Sequence, residues 1–222
     1  MNEWSPPSSE WNPKAGGGGG GGPLALRAVG TPATSFTAAP HMTLPIPAAV
    51  KAGDFLVLVV GHTTLAVTTP AGWTAFPTTP VNTAHKRMYV FHKIASSGDA
   101  GSNVQVTATA GNIAIVGVVA AWANPAATPF GTVAAAALTF TTTTLVSAST
   151  TLPTGGIRVG FWHVTSASLT TLTVPATSLL AFKGANGALA INTNTTAGSH
   201  NMGTLTWSGR QDAQCLTVPL LP

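Results

Sequence analysis

The sequence predicts an all-β protein: an antiparallel β-sandwich, jelly-roll-like, with a glycine-rich extended arm at its N-terminus. Three observations carry this. From Thr31 onward the hydrophobic pattern has a period of two and is broken at short intervals by Gly and Pro. Threonine, whose branched Cβ suits a pleated strand, occurs 35 times. Helix signals are nearly absent, since the one alanine run, Ala134 to Ala137, lies between Gly131 and a Thr tract and is too short for a stable helix. At 222 residues the chain suits one domain with a sizeable core.

In chain order, Gly53-Asp54 opens Phe55–Val60 (FLVLVV), apolar on both faces and therefore central in a sandwich. Lys86–Ile94 follows, with Met88 and Val90 on one face and Tyr89 and Phe91 on the other. Asn103–Ala110 alternates strictly, Val104 and Val106 pointing inward. Ile113–Trp122 is a second buried strand, ended by Asn124-Pro125; as an uncharged apolar run it is too short to cross a bilayer as a helix, so no membrane insertion is expected. Leu138–Ser149 is Thr-rich and β-branched, and Gly155-Gly156 opens Ile157–Val164. Ser178–Lys183, Gly187–Asn192, Thr204–Trp207 and Gln214–Val218 bring the total to about ten strands. The chain also echoes itself. Gly53–Phe76 and Gly155–Phe182 each hold a turn, a buried strand ending near a His, a Thr-rich stretch, a Pro-Ala step and a closing strand. Two similar halves suit a jelly roll.

Residues 1–30 stand apart from the sandwich domain at 31–222. Trp4 and Trp11 lie in the matching phrases Glu3-Trp4-Ser5-Pro6 and Glu10-Trp11-Asn12-Pro13. Seven consecutive glycines follow: Gly16, Gly17, Gly18, Gly19, Gly20, Gly21 and Gly22. Such a run has no side chains to pack and a high ordering entropy, which suits a flexible linker. It also suits an arm that orders against neighbouring subunits, because backbone without Cβ approaches other backbone closely. The two upstream tryptophans favour the arm, since interfaces enrich Trp. Residues 1–14 lack the basic and apolar regions of a secretory signal, so export by that route is not expected.

Nine Lys and Arg oppose five Asp and Glu, only 6% of the chain against roughly 25% in an ordinary soluble domain. The basic residues are scattered, apart from Lys86-Arg87, so no nucleic-acid face is expected. A surface this poor in charge suits a protein held inside an assembly.

The order GDFLVLVV, TTPAGWTAF, KRMYVFHKIASSGD, VQVTATAGNIAIVGVVAAW, over residues 35–125 and more loosely in the second half, resembles a β-sandwich module of tailed-phage structural proteins and some bacterial surface proteins. The glycine-rich start is similar to that of minor tail proteins of actinobacterial phages. The resemblance implies a fold more than an activity, and for fibre-like tail proteins it implies three-fold symmetry.

Site chemistry is sparse. Past the arm the carboxylates are Asp54 and Asp99, each directly after a Gly, and Asp212, which follows Gly209-Arg210; all three read as turn settings where Asp bonds local backbone. Their placement does not read as the facing pair that glycan hydrolysis needs. The six histidines, His41, His62, His85, His92, His163 and His200, form no HxH or HxxxH pair, and no metal site is read from them. His62 and His163 occupy matching places in the echoed halves and so are candidates to approach each other. Cys215, the single cysteine, reads as a buried structural thiol. No nucleophile elbow or phosphate loop occurs. Trp73, within Pro70-Ala71-Gly72-Trp73, is the candidate surface aromatic; Trp122, Trp162 and Trp207 are core candidates.

These features together lead to the expectation of a non-enzymatic virion protein without cofactors. A minor tail or tail-fibre component leads, assembling through its arm as a homotrimer with other virion proteins and contacting a host-surface glycan. A capsid decoration protein and a carbohydrate-binding adsorption module are the alternatives.

Overall fold

A computed structural model gives the fold. It describes residues 22–222 without 38–39, 63–64, 85, 110–112, 140–142, 166–170, 176, 185–186 and 210, and without the side chains of 36, 37, 62, 113 and 114. Every element among the described residues is a strand. The first half holds β1 (Ala25–Val29), β2 (Ala33–Thr37), β3 (His41–Pro45), β4 (Phe55–His62), β5 (Val67–Thr68), β6 (Thr74–Ala75), β7 (Val81–Asn82), β8 (Arg87–Ile94), β9 (Asn103–Ala108) and β10 (Ile113–Ala123). The second holds β11 (Ala134–Leu138), β12 (Thr144–Val146), β13 (Thr150–Leu152), β14 (Ile157–Val164), β15 (Leu172–Thr173), β16 (Ser178–Gly184), β17 (Gly187–Asn194), β18 (Gly198–His200), β19 (Thr204–Trp207) and β20 (Ala213–Leu220). All strand pairs are antiparallel.

The halves repeat one topology. The first makes a large sheet ordered β1-β10-β4-β8-β6, with β2 also on β10 and β7 on β8, and a small sheet ordered β3-β9-β5. The second makes β11-β20-β14-β17-β16 and β12-β19-β15, with a β13-β18 pair beside them. In each, the first and last strands are neighbours and close a two-sheet roll. The chain is therefore an all-β antiparallel sandwich, as the sequence predicts, but on a different scale. The echo is a repeat of a whole roll, and each half closes its own two layers.

The two large sheets face each other, and the small sheets cover their outer sides. Phe55, Val57, Val59, Val118 and Trp122 meet Val159, Phe161, Leu189 and Leu216 at the centre. Leu56, Leu58 and Val60 face Leu44, Val104 and Val106 inside the first roll. Trp162, Val164 and Cys215 face Leu145, Leu205 and Trp207 inside the second. The central large-sheet strands, β4 and β10 in the first roll and β14 and β20 in the second, thus bury both faces, which is why FLVLVV runs apolar without alternation, and each fully buried aliphatic or Phe contributes about 1.5–3 kcal/mol. The small sheets bury one face, and β3 alternates accordingly.

Strand β4 touches β14, β8 touches β20 and β10 touches β17. By topology β4 corresponds to β14, β8 to β17 and β10 to β20. The rolls are therefore arranged like the two halves of an isologous dimer, about a pseudo-two-fold through the β4–β14 crossing. A polar chain spans this junction. Thr83 donates its hydroxyl to Asp212 Oδ2 at 2.8 Å, Gln214 Nε2 donates to Thr83 Oγ1 at 3.3 Å, and Gln214 Oε1 meets His163 Nδ1 at 2.8 Å.

Two local expectations change, and a segment read only as too short for a helix proves to be a strand. Strand β1 pairs with β10, so the sheet begins within the segment assigned to the arm, which extended to residue 30. The alanine run is itself strand β11, a half-exposed edge where small side chains suffice. Leu138–Ser149 is not one strand; β11 ends at Leu138, and β12 covers Thr144–Val146.

Candidate functional site

Two cavities open at the end of the first roll where β4 begins and β8 and β10 end. The first is built around the turn that opens β4. Asp54 N–H donates to Lys51 O at 3.1 Å, and Lys51 N–H donates to Asp54 Oδ2 at 2.8 Å. Arg27 on β1 completes the carboxylate with a fork, Nε to Oδ2 and Nη2 to Oδ1, both 3.0 Å. Hydrogen bonding to Asp54 raises the Arg27 pKa and outweighs the opposing effect of burial. The adjoining cavity, about 620 Å³, is lined by Gly22, Lys51, Asn124 and Pro222 among others. Here the arm joins the roll: Asn124 Nδ2 donates to Pro23 O at 3.1 Å.

The second cavity, about 490 Å³, is lined by Pro70, Trp73, Lys93, Asp99, Asn103 and Gln105 among others. Asp99 organises the turn after β8. Ser96 N–H and hydroxyl donate to Oδ2 at 2.6 and 2.8 Å, and Lys93 Nζ lies 2.7 Å from Oδ1. Burial pushes the Asp99 carboxyl up, but the bonds from Lys93 and Ser96 outweigh it and leave the pKa below the usual carboxylate value. The same Lys93 Nζ sits over the Trp73 ring, 5.7 Å from its centroid.

Trp73 is a correction to the sequence reading. It is 8% exposed and belongs to the core of the first roll, not to the surface. The turn delivers it inward: Trp73 N–H donates to Pro70 O at 3.1 Å, and Gly72 takes φ 77° to reverse the chain. Lys93, twenty positions away in sequence, then covers the ring.

The wall of this cavity includes a bare strand edge. Ile46 N–H donates to Ser102 O at 2.8 Å and Ala108 N–H to Pro40 O at 2.7 Å. With the β3–β9 register, this makes Met42–Val106 and Leu44–Val104 the hydrogen-bonded pairs. The backbone groups of Asn103 and Gln105 therefore point the other way, toward β5. Strand β5 reaches only Thr107 and Ala108, and its continuation at Pro70 has no N–H to give. Among the described residues no strand pairs with Asn103 or Gln105 on that side.

The remaining sequence candidates are distributed differently. Trp4, Trp11 and Gly16 to Gly21 lie outside the described residues; Gly22 is described and exposed. Asp54 and Asp99 hold turns, whereas Asp212 accepts from Thr83 of the other roll. His163 is buried against Gly61, next to His62 in the chain, and the side chain of His62 is outside the described ones. Among the described residues no three His, Cys, Asp or Glu converge as a metal site. Cys215 is fully buried, and burial pushes its thiol pKa well up. One buried group had no signal in the sequence. Arg158 on β14 is 0% exposed and donates to Thr150 Oγ1 and to the carbonyls of Thr150, Thr196 and Gly198, with burial lowering its pKa. It ties the β13–β18 pair to the large sheet. No family model, curated protein or solved structure matches the chain.

Proposed function

We propose that the chain is a non-enzymatic structural protein of a tailed-phage virion, a minor tail or tail-fibre component that assembles through its N-terminal arm. The attachment of the arm carries this reading. The glycine run ends at Gly22, beside Asn124, and leads directly into β1, an edge strand of a large sheet. An arm leaving an edge is placed to lie along a neighbouring subunit. The edges themselves are lightly guarded. Natural edges use charge, Pro or bulges against pairing; β1 has a bulge at Leu26/Ala28 and one charge, Arg27, which Asp54 neutralises. Strand β11, one edge of the other large sheet, carries no charge at all, and β16 at its opposite edge carries only Lys183.

The resemblance of the strand motifs to tailed-phage modules and the jelly-roll topology, which recurs in capsid and lectin domains, support the virion setting. Closed cyclic symmetry is the usual outcome of self-pairing, and a homotrimer fits the fibre-like case. Capsid decoration is the alternative. Sugar adsorption draws no support from Trp73, whose ring is covered by Lys93 and is not free to stack.

Deleting residues 1–23 tests the proposal: the truncated protein should remain folded and fail to incorporate into particles. Normal incorporation overturns it. Gel densitometry of particles separates a tail component, with up to tens of copies, from a capsid decoration with hundreds, on order-of-magnitude grounds from closed-ring and shell symmetries.

A further inference from the structure

We propose that the cavity at the Asn103–Gln105 edge receives the Glu10-Trp11-Asn12 segment of a second copy's arm as an added β-strand. This rests on the arm being an assembly element, and it names the surface on which the arm docks.

Strand addition needs backbone donors and acceptors along an open edge, and pockets for alternate side chains. Asn103 and Gln105 supply the first, two residues apart and turned toward the cavity. The apolar part of the wall, Ile46, Pro70, Ala71 and Val104, supplies room for a large side chain. The arm matches both requirements. Ser8 to Asn12 are five consecutive residues with N–H groups, bounded by Pro7 and Pro13. Asn12, preceding a proline, is biased toward extended backbone. Trp11 gives a large flat side chain with a single donor. The Glu3-Trp4-Ser5 phrase repeats the pattern, so the arm holds two copies of the same plug.

Reach sets where the donor must stand. From Asn12 to Gly22 the chain spans at most about 35 Å when extended. Gly22 lies at the same end of the first roll as the cavity, near Asn124, Lys51 and Gly53. The donor copy must therefore abut this end.

The test is disulfide trapping in the full-length chain. The native Cys215 is buried and does not compete. Untagged Asn12→Cys protein is mixed with tagged Gln105→Cys protein and oxidised, and linked peptides are mapped by mass spectrometry. The expected result is a 12–105 link between different chains. It should be at least tenfold stronger than with Thr151→Cys on the second roll, and should drop tenfold when Trp11→Ala is added to the donor. Asn103→Cys repeats the test if Gln105→Cys does not fold. Sedimentation of the same samples separates the two ways of failing. An oligomer without the link means that the arm docks elsewhere, which overturns this inference and leaves the assembly role standing. A monomer without the link overturns both. A link formed only within one chain, in the Asn12→Cys/Gln105→Cys double variant, also overturns it. So does loss of the link on adding cell-wall oligosaccharides, which would make the cavity a sugar site.

Discussion

The imidazole of His163 fills the space that a side chain at Gly61 would occupy, locking the central strand of one roll to the central strand of the other. His163 is 1% exposed and its Nδ1 is held by Gln214, so the ring has nowhere to move. Gly61→Ala should therefore overpack the junction and destabilise the protein by about 1–3 kcal/mol. Urea unfolding checks this, and wild-type stability in the variant would contradict the described contact.

Arg158→Met should cost about 1–3 kcal/mol, because the buried acceptors of Thr150 lose their donor, together with the more exposed carbonyls of Thr196 and Gly198. Hydrogen exchange should show the loss concentrated in β13 and β18. Uniform loss across both rolls would mean that Arg158 does not act as the tie between that pair and the sheet.

Stability should fall in two steps as pH drops. The His92 ring packs on Phe76, Phe130 and Phe55, with centroids 4.6, 4.9 and 5.6 Å away, and burial lowers its pKa below the ordinary 6.5. Folding thus favours the neutral ring. That contribution is complete above about pH 6.5 and is lost as pH falls through the folded-state value. The Asp99 carboxylate, held below its ordinary 3.8, contributes above that value and is lost further into acid. Denaturation midpoints against pH should lose the upper step in His92→Phe and the lower step in Asp99→Asn.

Cys215 should resist alkylation in the folded protein at pH 8 and react when the second roll opens. Its thiol is fully buried and its pKa is pushed up, both of which suppress the thiolate. Labelling rate against urea concentration should follow global unfolding; prompt labelling without denaturant would contradict the packing of β14 on β20.

What the residues revealed beforehand was governed by burial. The runs of β4, β10 and β14 were legible because each is covered on both faces, and β9 because it alternates over one covered face. Strand β11 was obscure, since four alanines carry no periodic signal, and β1 was hidden by its nearness to the glycine run. The echo of Gly53–Phe76 in Gly155–Phe182 was visible, but a repeated strand pattern does not say whether the unit is half a roll or a whole one. Only the sheet order answers that. At the cavity, the Asp99 turn was readable from Gly98-Asp99. The burial of Trp73 was not, because it depends on Lys93 and on the strands beneath, which are distant in sequence.

The short connection between the rolls, residues 124–133, has a thermodynamic meaning of its own. Two separate rolls meeting across the same face would part below their dissociation constant. Joined in one chain, they face each other at an effective concentration in the millimolar range. Dilution cannot separate them, so the central core of Phe55, Trp122, Phe161 and Leu216 survives at any protein concentration at which the chain is folded. In the assembly proposed above, contacts made by the edges and the arm would have no such tether. They alone would follow mass action, so concentration would govern how many chains come together and leave the shape of each chain unchanged.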